Sequence, residues 1–286
     1  MILIVDAGNT TITFAAVSEE NDSIIKRYKV EEDIFQKDAV IMENMSELSV
    51  INNASIEDGS FDKNKLLDKW CKDIVKALCD RELTCDEKIF SKAVISSVVM
   101  EDEKALELIT SRIAYEYVFL NKDNCGLDLS KYSANTLGAD RMADMIAVLE
   151  KYGKKLPLIV FDLGTATTCN VLDEKGRFLG GIIAPGLMTG ANALLSKASK
   201  LKEYKVNEPL SIIGNTSQGC IDSGIVYGHA LMIEGIIRKV SEKLGKKCVA
   251  VMTGGNTEHI RDYIDSPLYY EPDLLLHGLI CVSKKI

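Results

Sequence analysis

One motif that occurs twice constrains the fold of this chain more than any other feature. A run of apolar residues leads into Asp6-Ala7-Gly8-Asn9-Thr10 near the N-terminus, and a similar run leads into Asp162-Leu163-Gly164-Thr165-Ala166 past the middle. Further threonines and a second apolar segment follow each motif. The two aspartates are 156 residues apart (162 − 6), the spacing of two domains of ordinary size. The sequence therefore predicts a duplicated unit, each copy with a β-hairpin whose first strand ends at an aspartate.

The residue types in these hairpins point to phosphate binding. The glycine of each motif has no Cβ, so the backbone can approach a ligand closely. The hydroxyls and backbone N–H groups that follow it can face phosphate oxygens. A third junction has a related character, because the apolar run 248–252 ends in Thr253-Gly254-Gly255. A strand that runs into a glycine turn and then a helix suits a nucleotide, although such turns are common.

The length of the chain and the helix-ending residues near its middle predict two domains. At 286 residues the chain can hold two domains of ordinary size. Gly153 and Pro157 end a helical pattern, so the predicted domains are residues 1–154 and 155–286. Within the first domain, apolar residues at helical spacing predict a helix over 61–81. Its apolar face is formed by Leu66, Leu67, Trp70, Ile74, Val75 and Leu78.

Bulk composition excludes several classes of function. A net charge of −8 and a pI near 5.1 argue against a nucleic-acid-binding surface, but they do not argue against ATP. No uninterrupted apolar run approaches the roughly 20 residues that a membrane span needs. Met1 leads directly into a strand, so we expect a cytoplasmic chain with no membrane partner. The eight cysteines lack Cys-x-x-Cys spacing and are expected to be reduced, buried thiols.

Two further segments stand out beside the hairpins. Asp140, in Gly138-Ala139-Asp140-Arg141, falls at the start of a helical pattern. From its position alone it is either a functional acid or a first-turn acid favoured by the helix dipole. A cap-like segment, Asn215 to Gly219, precedes a long helix predicted over 221–244. The interior glycines of this helix cost about 1 kcal/mol each relative to alanine. Close contact with another helix, across a dimer interface, would explain them.

These parts together match the plan of actin-like ATPases, and the chain resembles the type III pantothenate kinases of bacteria over nearly its full length. The predicted fold class is therefore α/β, with two actin-like (ribonuclease H-like) domains and an interdomain nucleotide cleft that Asp6 and Asp162 face. The resemblance rests on segments that occur in the family's order: Asp6 to Thr10, Gly138 to Arg141, Asp162 to Thr167, Gly180 to Gly186, Ser223 to Gly228, and Thr253 to Gly255.

The resemblance implies ATP-dependent phosphorylation of pantothenate to 4′-phosphopantothenate, the first step toward coenzyme A. It implies that Asp140 is the catalytic base, and that Asp162 binds a monovalent cation, potassium or ammonium. It places Thr216 against the substrate across a homodimer interface. Pantothenate would be held by Gly138, Ala139, Asp140 and Arg141. The phosphates of ATP, which brings Mg²⁺, would be lined by Asp6, Ala7, Gly8, Asn9, Thr10, Thr11, Ile12, Thr13 and Thr165.

The chain departs from the family pattern in two places. The segment around 31–60 is longer than the family needs and is predicted to be an insertion. Tyr132 lies one residue out of register with an aromatic residue that the family often has, and Ala134 or Asn135 stands where proline is usual.

Two other classes of function remain as alternatives. One is a non-catalytic regulator on the same fold, like the Bvg accessory factors. The other is a phosphatase or nucleotide hydrolase, which would share the hairpins but not the segment Gly138 to Arg141. The presence of Asp6, Asp140, Arg141 and Asp162 together favours a working kinase.

Overall fold

Two five-stranded β-sheets organise the computed structural model, which describes residues 1–39, 63–83, 87–197 and 205–286. The first sheet contains β1 (Ile2–Ala7), β2 (Thr11–Val17), β3 (Ile24–Glu31), β4 (Phe90–Ser97) and β5 (Ala114–Phe119). The second contains β6 (Leu158–Leu163), β7 (Ala166–Leu172), β8 (Phe178–Pro185), β9 (Val249–Thr253) and β10 (Leu268–Tyr270). The helices are α1 (32–39), α2 (Lys63–Cys79), α3 (Glu103–Ile113), α4 (Ala139–Tyr152), α5 (Leu187–Lys197), α6 (Ser217–Leu244) and α7 (Leu274–Ser283).

Both sheets have the same topology. The strand orders are β3-β2-β1-β4-β5 and β8-β7-β6-β9-β10. In each sheet the first three strands form an antiparallel meander, and the last two run parallel to the first strand of that meander. The duplicated plan is therefore present, and the predicted fold class of two actin-like α/β domains is confirmed. The cleft between them, faced by Asp6 and Asp162, stays a prediction.

The chain forms two compact units, and neither is a single continuous segment. The first unit contains Met1–Cys125, Gly138–Ala143 and Leu276–Ile286, and the second contains Gly126–Leu137 and Asp144–Leu275. The C-terminal segment joins the first unit because α7 packs closely there: a Cβ on Gly278 would lie 2.5 Å from the carbonyl carbon of Ala143. The predicted boundary after residue 154 divides the chain only once, whereas each unit contains more than one segment. The predicted domains 1–154 and 155–286 stay a prediction. The predicted insertion lies largely outside the described residues.

The core of the first unit lies on one face of its sheet. Leu3, Val5 and Phe14 point to this face and pack with α2 and α3. The helix predicted over 61–81 is observed as α2, and its predicted apolar residues are all buried. Because strand residues alternate between faces, Asp6, which follows Val5, points to the other side of the sheet.

The second unit repeats this arrangement. Ile159, Phe161 and Leu163 on β6 pack against Val226 and Ile233 of α6. Among the described helices, α6 alone is long and apolar enough to cross a membrane by length and composition. That finding is weak evidence for a span, because a core helix of a soluble protein passes the same test. The apolar window of α6 is 33% buried, and Val226 and Ile233 lie in the core of the second unit.

Candidate active site

Asp6 stands at the centre of a row of three polar residues in the first sheet. Its register partners are Thr13 on β2 and Ser96 on β4. Side chains of directly paired residues project from the same face of a sheet, so all three lie on the face opposite the core. Thr13 and Ser96 are buried, whereas Asp6 is half-buried. We call this set the Asp6 row.

The second sheet carries the same arrangement around Asp162. The register partners of Asp162 are Thr168 on β7 and Thr253 on β9, and both are buried. We call this set the Asp162 row. Each unit therefore places a carboxylate between two hydroxyl side chains, at the end of the strand that begins its hairpin. Sequence reasoning found both aspartates and Thr13, and it singled out Thr253 in the third glycine junction. It did not place Thr253 beside Asp162, and it missed Ser96 and Thr168, because register cannot be seen in the sequence.

Each of the two turns that follow the aspartates contains a hydrogen bond donated by the N–H of its glycine. In the first hairpin the Gly8 N–H donates to the Thr11 carbonyl at 3.1 Å, and in the second the Gly164 N–H donates to the Ala166 carbonyl at 3.0 Å. Thr165 lies at the exposed tip of the second turn. At the tip of the first turn, Asn9, Thr10 and Thr11 are all exposed. The predicted phosphate-binding residues thus include exposed hydroxyls at both hairpin tips.

The Gly254-Gly255 turn packs against the end of β6. Gly254 has φ of +95°, and a Cβ on it would clash with Asp162 Oδ1 and lie 2.5 Å from the Leu163 nitrogen. Asn256 fastens the turn, because its Nδ2 donates to the Gly164 carbonyl at 2.9 Å. Glycine at 254 is therefore needed both for the backbone conformation and for space beside the Asp162 carboxylate.

Asp140 is the second residue of α4, as the helical pattern predicted. Its Oδ1 accepts a hydrogen bond from the Arg141 N–H at 2.7 Å. Burial raises the pKa of the Asp140 carboxyl, although the backbone N–H and the charge of Arg141 oppose the rise. A partly buried carboxylate with a raised pKa holds a proton more readily, which suits a general base.

The segment that carries Asp140 packs beside β4 in the first unit. A Cβ on Gly138 would clash with Asp140 Oδ1 and would lie 3.5 Å from Val98 Cγ1. Val98 comes directly after β4, the strand that contributes Ser96 to the Asp6 row. The first unit therefore brings the end of β4 close to both Asp6 and the turn before Asp140.

Thr216 caps the long helix of the second unit. Its hydroxyl accepts a hydrogen bond from the Gly219 N–H at 3.0 Å, so the cap-like segment in the sequence is confirmed. Asp222 holds the preceding loop by accepting from the Asn207 N–H at 2.9 Å and from Gln218 Nε2 at 2.7 Å. Thr216 is exposed on this loop. Its contact with substrate stays a prediction.

Two more residues near the second hairpin have defined surroundings. Thr167 Oγ1 lies 2.8 Å from His229 Nε2, and burial lowers the pKa of this histidine, which favours a neutral imidazole. The bond ties α6 to the hairpin, and the sequence offered no signal for it. Tyr132 packs against Phe178, with ring centroids 4.6 Å apart and ring planes tilted by 50°, and it borders Gly180. These contacts give Tyr132 a packing role in the second unit.

Comparison with known proteins adds independent information. A family described as "Type III pantothenate kinase" matches residues 51–239. A type III pantothenate kinase of Moorella thermoacetica is 31% identical over 253 residues, which cover 82% of this chain and 97% of that protein. One from an Exiguobacterium species is 28% identical over 287 residues, covering 100% and 99%. A crystal structure from Campylobacter jejuni, named for the Baf family of transcriptional activators, has a TM-score of 0.57 at 16% identity, with coverage of 99% and 98%.

The close contact at Gly254 leads to a paired prediction. Gly254→Ala should lower the melting temperature and displace the Asp162 carboxylate, at a cost of about 1–3 kcal/mol for a strained positive φ. Gly255→Ala is the control, because a Cβ on Gly255 meets nothing within 4 Å. Thermal unfolding of both variants measures the difference. Equal melting temperatures for the two variants would contradict the close contact.

Proposed function

Because this chain belongs to the type III pantothenate kinase family, we propose that it transfers the terminal phosphoryl group of ATP to the terminal hydroxyl of pantothenate. The product is 4′-phosphopantothenate, and the reaction is the first step of coenzyme A synthesis. Among the structural observations, the one that carries the proposal is the half-buried Asp140 carboxylate, with its raised pKa, in the same unit as the Asp6 hairpin.

Phosphoryl transfer needs positioned groups more than covalent chemistry from the protein. Asp140 orients the attacking hydroxyl of pantothenate and accepts its proton as the new bond to phosphorus forms. Arg141, the next residue, is buried and provides a planar cation for the polar groups of the same substrate. Gly138 and Ala139 allow the backbone to come close to pantothenate. The residues Asp6 to Thr13 and Thr165 hold the phosphates through hydroxyls and backbone N–H groups.

The two rows suit two different cations. Mg²⁺ accompanies ATP and neutralises phosphate charge, and the Asp6 row offers a carboxylate and two hydroxyls on one face. A monovalent cation, potassium or ammonium, fits the Asp162 row. Two observations support that fit: the Asp162 carboxylate and the Thr168 hydroxyl are paired on one face of the sheet, and the buried Thr168 hydroxyl has no hydrogen-bond partner among the described residues. Asp162 and Thr168 would hold this ion, which adds positive charge near the phosphates.

A homodimer is supported by the outer face of α6. Gly224, Gly228, Leu231 and Gly235 recur at helical spacing along one side of this helix. A Cβ on any of the three glycines would meet nothing within 4 Å in the described chain, so internal packing does not explain them. Leu231 is 52% exposed in this stripe. A second copy packing here would bury the stripe and bring the neighbouring Thr216 loop toward a shared site.

Four site residues argue against the alternative of a non-catalytic regulator. A regulator would not need Asp6, Asp140, Arg141 and Asp162 together. We therefore place this chain among the catalytic members, as a soluble enzyme of the cytoplasm. Its net charge of −8 argues against a nucleic-acid-binding surface. The described core contacts of α6 support its place in a soluble fold.

The direct test of the proposed function is an ATP-consumption assay with and without pantothenate, at neutral pH in potassium buffer. A kinase consumes ATP only when pantothenate is present, and mass spectrometry should show 4′-phosphopantothenate. ATP consumption without pantothenate would indicate a hydrolase. No consumption under either condition, from correctly folded protein, would favour the regulator.

Asp140→Asn tests the assigned base. The amide can still accept the hydrogen bond from the Arg141 N–H, but it cannot accept the substrate proton. Turnover should fall about 10²–10⁴-fold, with ATP affinity little changed. Single-turnover kinetics and ATP titration separate the two effects. Turnover within a few-fold of the unmodified protein would make Asp140 a first-turn acid only.

The raised pKa of Asp140 also sets the pH dependence. Since a protonated carboxyl cannot act as base, kcat/KM should fall as the pH decreases through this pKa. The midpoint should lie above 3.8, the ordinary value for aspartate. Asp140→Asn should abolish this acid limb.

The cation assignment predicts a salt dependence. Rates in potassium or ammonium chloride should exceed the rate in sodium chloride at equal ionic strength, because the Asp162 row selects among monovalent ions. Thr168→Val keeps the shape and removes the hydroxyl, so it should raise the potassium concentration needed for half-maximal rate. Thr168→Ser should behave like the unmodified protein. Equal rates in all three salts would refute the assignment.

The dimer assignment predicts that Leu231→Glu yields monomers with reduced activity, because a charge would be buried in the interface. The matched control is Ile25→Glu on β3, where Ile25 is 50% exposed, close to the 52% of Leu231. This control should remain dimeric and active. Light scattering coupled to size exclusion measures the mass. A fully active monomer of the unmodified protein at assay concentration would rule the dimer out.

A further inference from the structure

The hydroxyl of Ser96 is a buried polar group whose local bonding is incomplete. Ser96 is fully buried, and its Oγ has no hydrogen-bond partner within the described ranges. Buried hydroxyls are nearly always bonded, since losing water without gaining a partner lowers stability. A serine kept at such a position therefore points to a partner that arrives with a bound molecule.

The neighbouring serine shows what a purely structural hydroxyl does here. Ser97 Oγ donates to the Val99 carbonyl at 2.9 Å and accepts from the Val99 N–H at 3.3 Å. Its hydrogen bonds are thus used to shape the chain just after β4. Ser96 points to the opposite face of the strand and makes no such local bond in the described structure. The two adjacent serines therefore have different roles.

The position of Ser96 connects it to both reacting partners. It is the register partner of Asp6, on the side of the row opposite Thr13. Two residues further along, Val98 borders Gly138, in the turn that precedes Asp140. Ser96 thus lies on the strand that runs between the carboxylate assigned to the nucleotide and the segment assigned to pantothenate.

We propose that Ser96 is a positioning residue for Mg²⁺·ATP: its hydroxyl donates to a water of the ion's hydration shell that the Asp6 carboxylate also binds. The inference rests on the proposed kinase function. Asp6 and Ser96 lie on neighbouring parallel strands, which are about 4.7–4.9 Å apart, so a single water can bridge their side chains. Mg²⁺ usually keeps several of its waters, so contacts of this kind orient the ion without displacing them. Removing such an outer contact typically weakens metal binding or activity about 10–100-fold.

The test is Ser96→Ala, measured first by calorimetric titration with Mg²⁺·ATP in the absence of pantothenate. The affinity should fall about 10–100-fold. In steady-state kinetics the KM for Mg²⁺·ATP should rise by a similar factor, while the KM for pantothenate stays within about twofold, because the lost contact is on the nucleotide side. The melting temperature of the nucleotide-free protein should be unchanged or higher, since the variant removes a buried hydroxyl without a partner.

Two further variants separate positioning from structure. Ser97→Ala should lower the melting temperature and leave Mg²⁺·ATP affinity unchanged. Ser96→Thr should restore affinity, because Thr253 occupies the equivalent position in the Asp162 row and shows that threonine fits there. Unchanged nucleotide affinity in Ser96→Ala would overturn the proposal. So would a lowered melting temperature together with failure of Ser96→Thr to restore binding. Because the titration omits pantothenate, this result is independent of the acceptor substrate.

Discussion

The pairing of each aspartate strand with one strand on either side is the constraint on which both candidate sites depend. β1 and β6 each lie between an antiparallel and a parallel neighbour, so their residues are held in register on two sides. A slip of one residue would turn every side chain to the other face, burying Asp6 or Asp162 in an apolar core. Cores built on Val5 and Phe161 therefore protect the register that aligns the three residues of each row within its own sheet.

Close backbone contacts at three glycines hold the neighbouring turns against the candidate site residues. Gly138 and Gly254 each lie against an aspartate carboxylate, of Asp140 and Asp162 respectively. Gly186 contacts the second hairpin, where a Cβ would lie 2.8 Å from the Thr165 carbonyl carbon. At these three positions any side chain would push a functional group away. The glycines of the α6 stripe have open space instead, so their role concerns a surface rather than a tight turn.

Local patterns predicted the parts of this structure that depend on nearby residues. The hairpins, the buried face of α2, the place of Asp140 at the start of α4 and the cap at Thr216 all follow from periodicity or turn chemistry. The partners Ser96, Thr168 and Thr253 could not be predicted, because they depend on pairing between strands far apart in sequence. The return of α7 to the first unit depends on the fit of Gly278 against Ala143, which has no local signature. The resemblance to a family supplied the reaction, which no local pattern contained.

The two sheets differ at the residue pair that precedes each aspartate by two positions and lies on the same face of its sheet. In the first sheet this pair is apolar and consists of Ala15 and Ile4. In the second, Asn170 occupies the position of Ala15, paired to Val160 and fully buried. Asn170 and Thr168 project from the same face of β7, so the second unit has a deeper polar surface beside Asp162. A potassium ion needs several oxygen ligands from the protein once it sheds water, whereas Mg²⁺ arrives with phosphates and keeps its own waters. This difference between the two sheets is an argument for the proposed assignment of a monovalent ion to Asp162 and of the nucleotide's Mg²⁺ to Asp6.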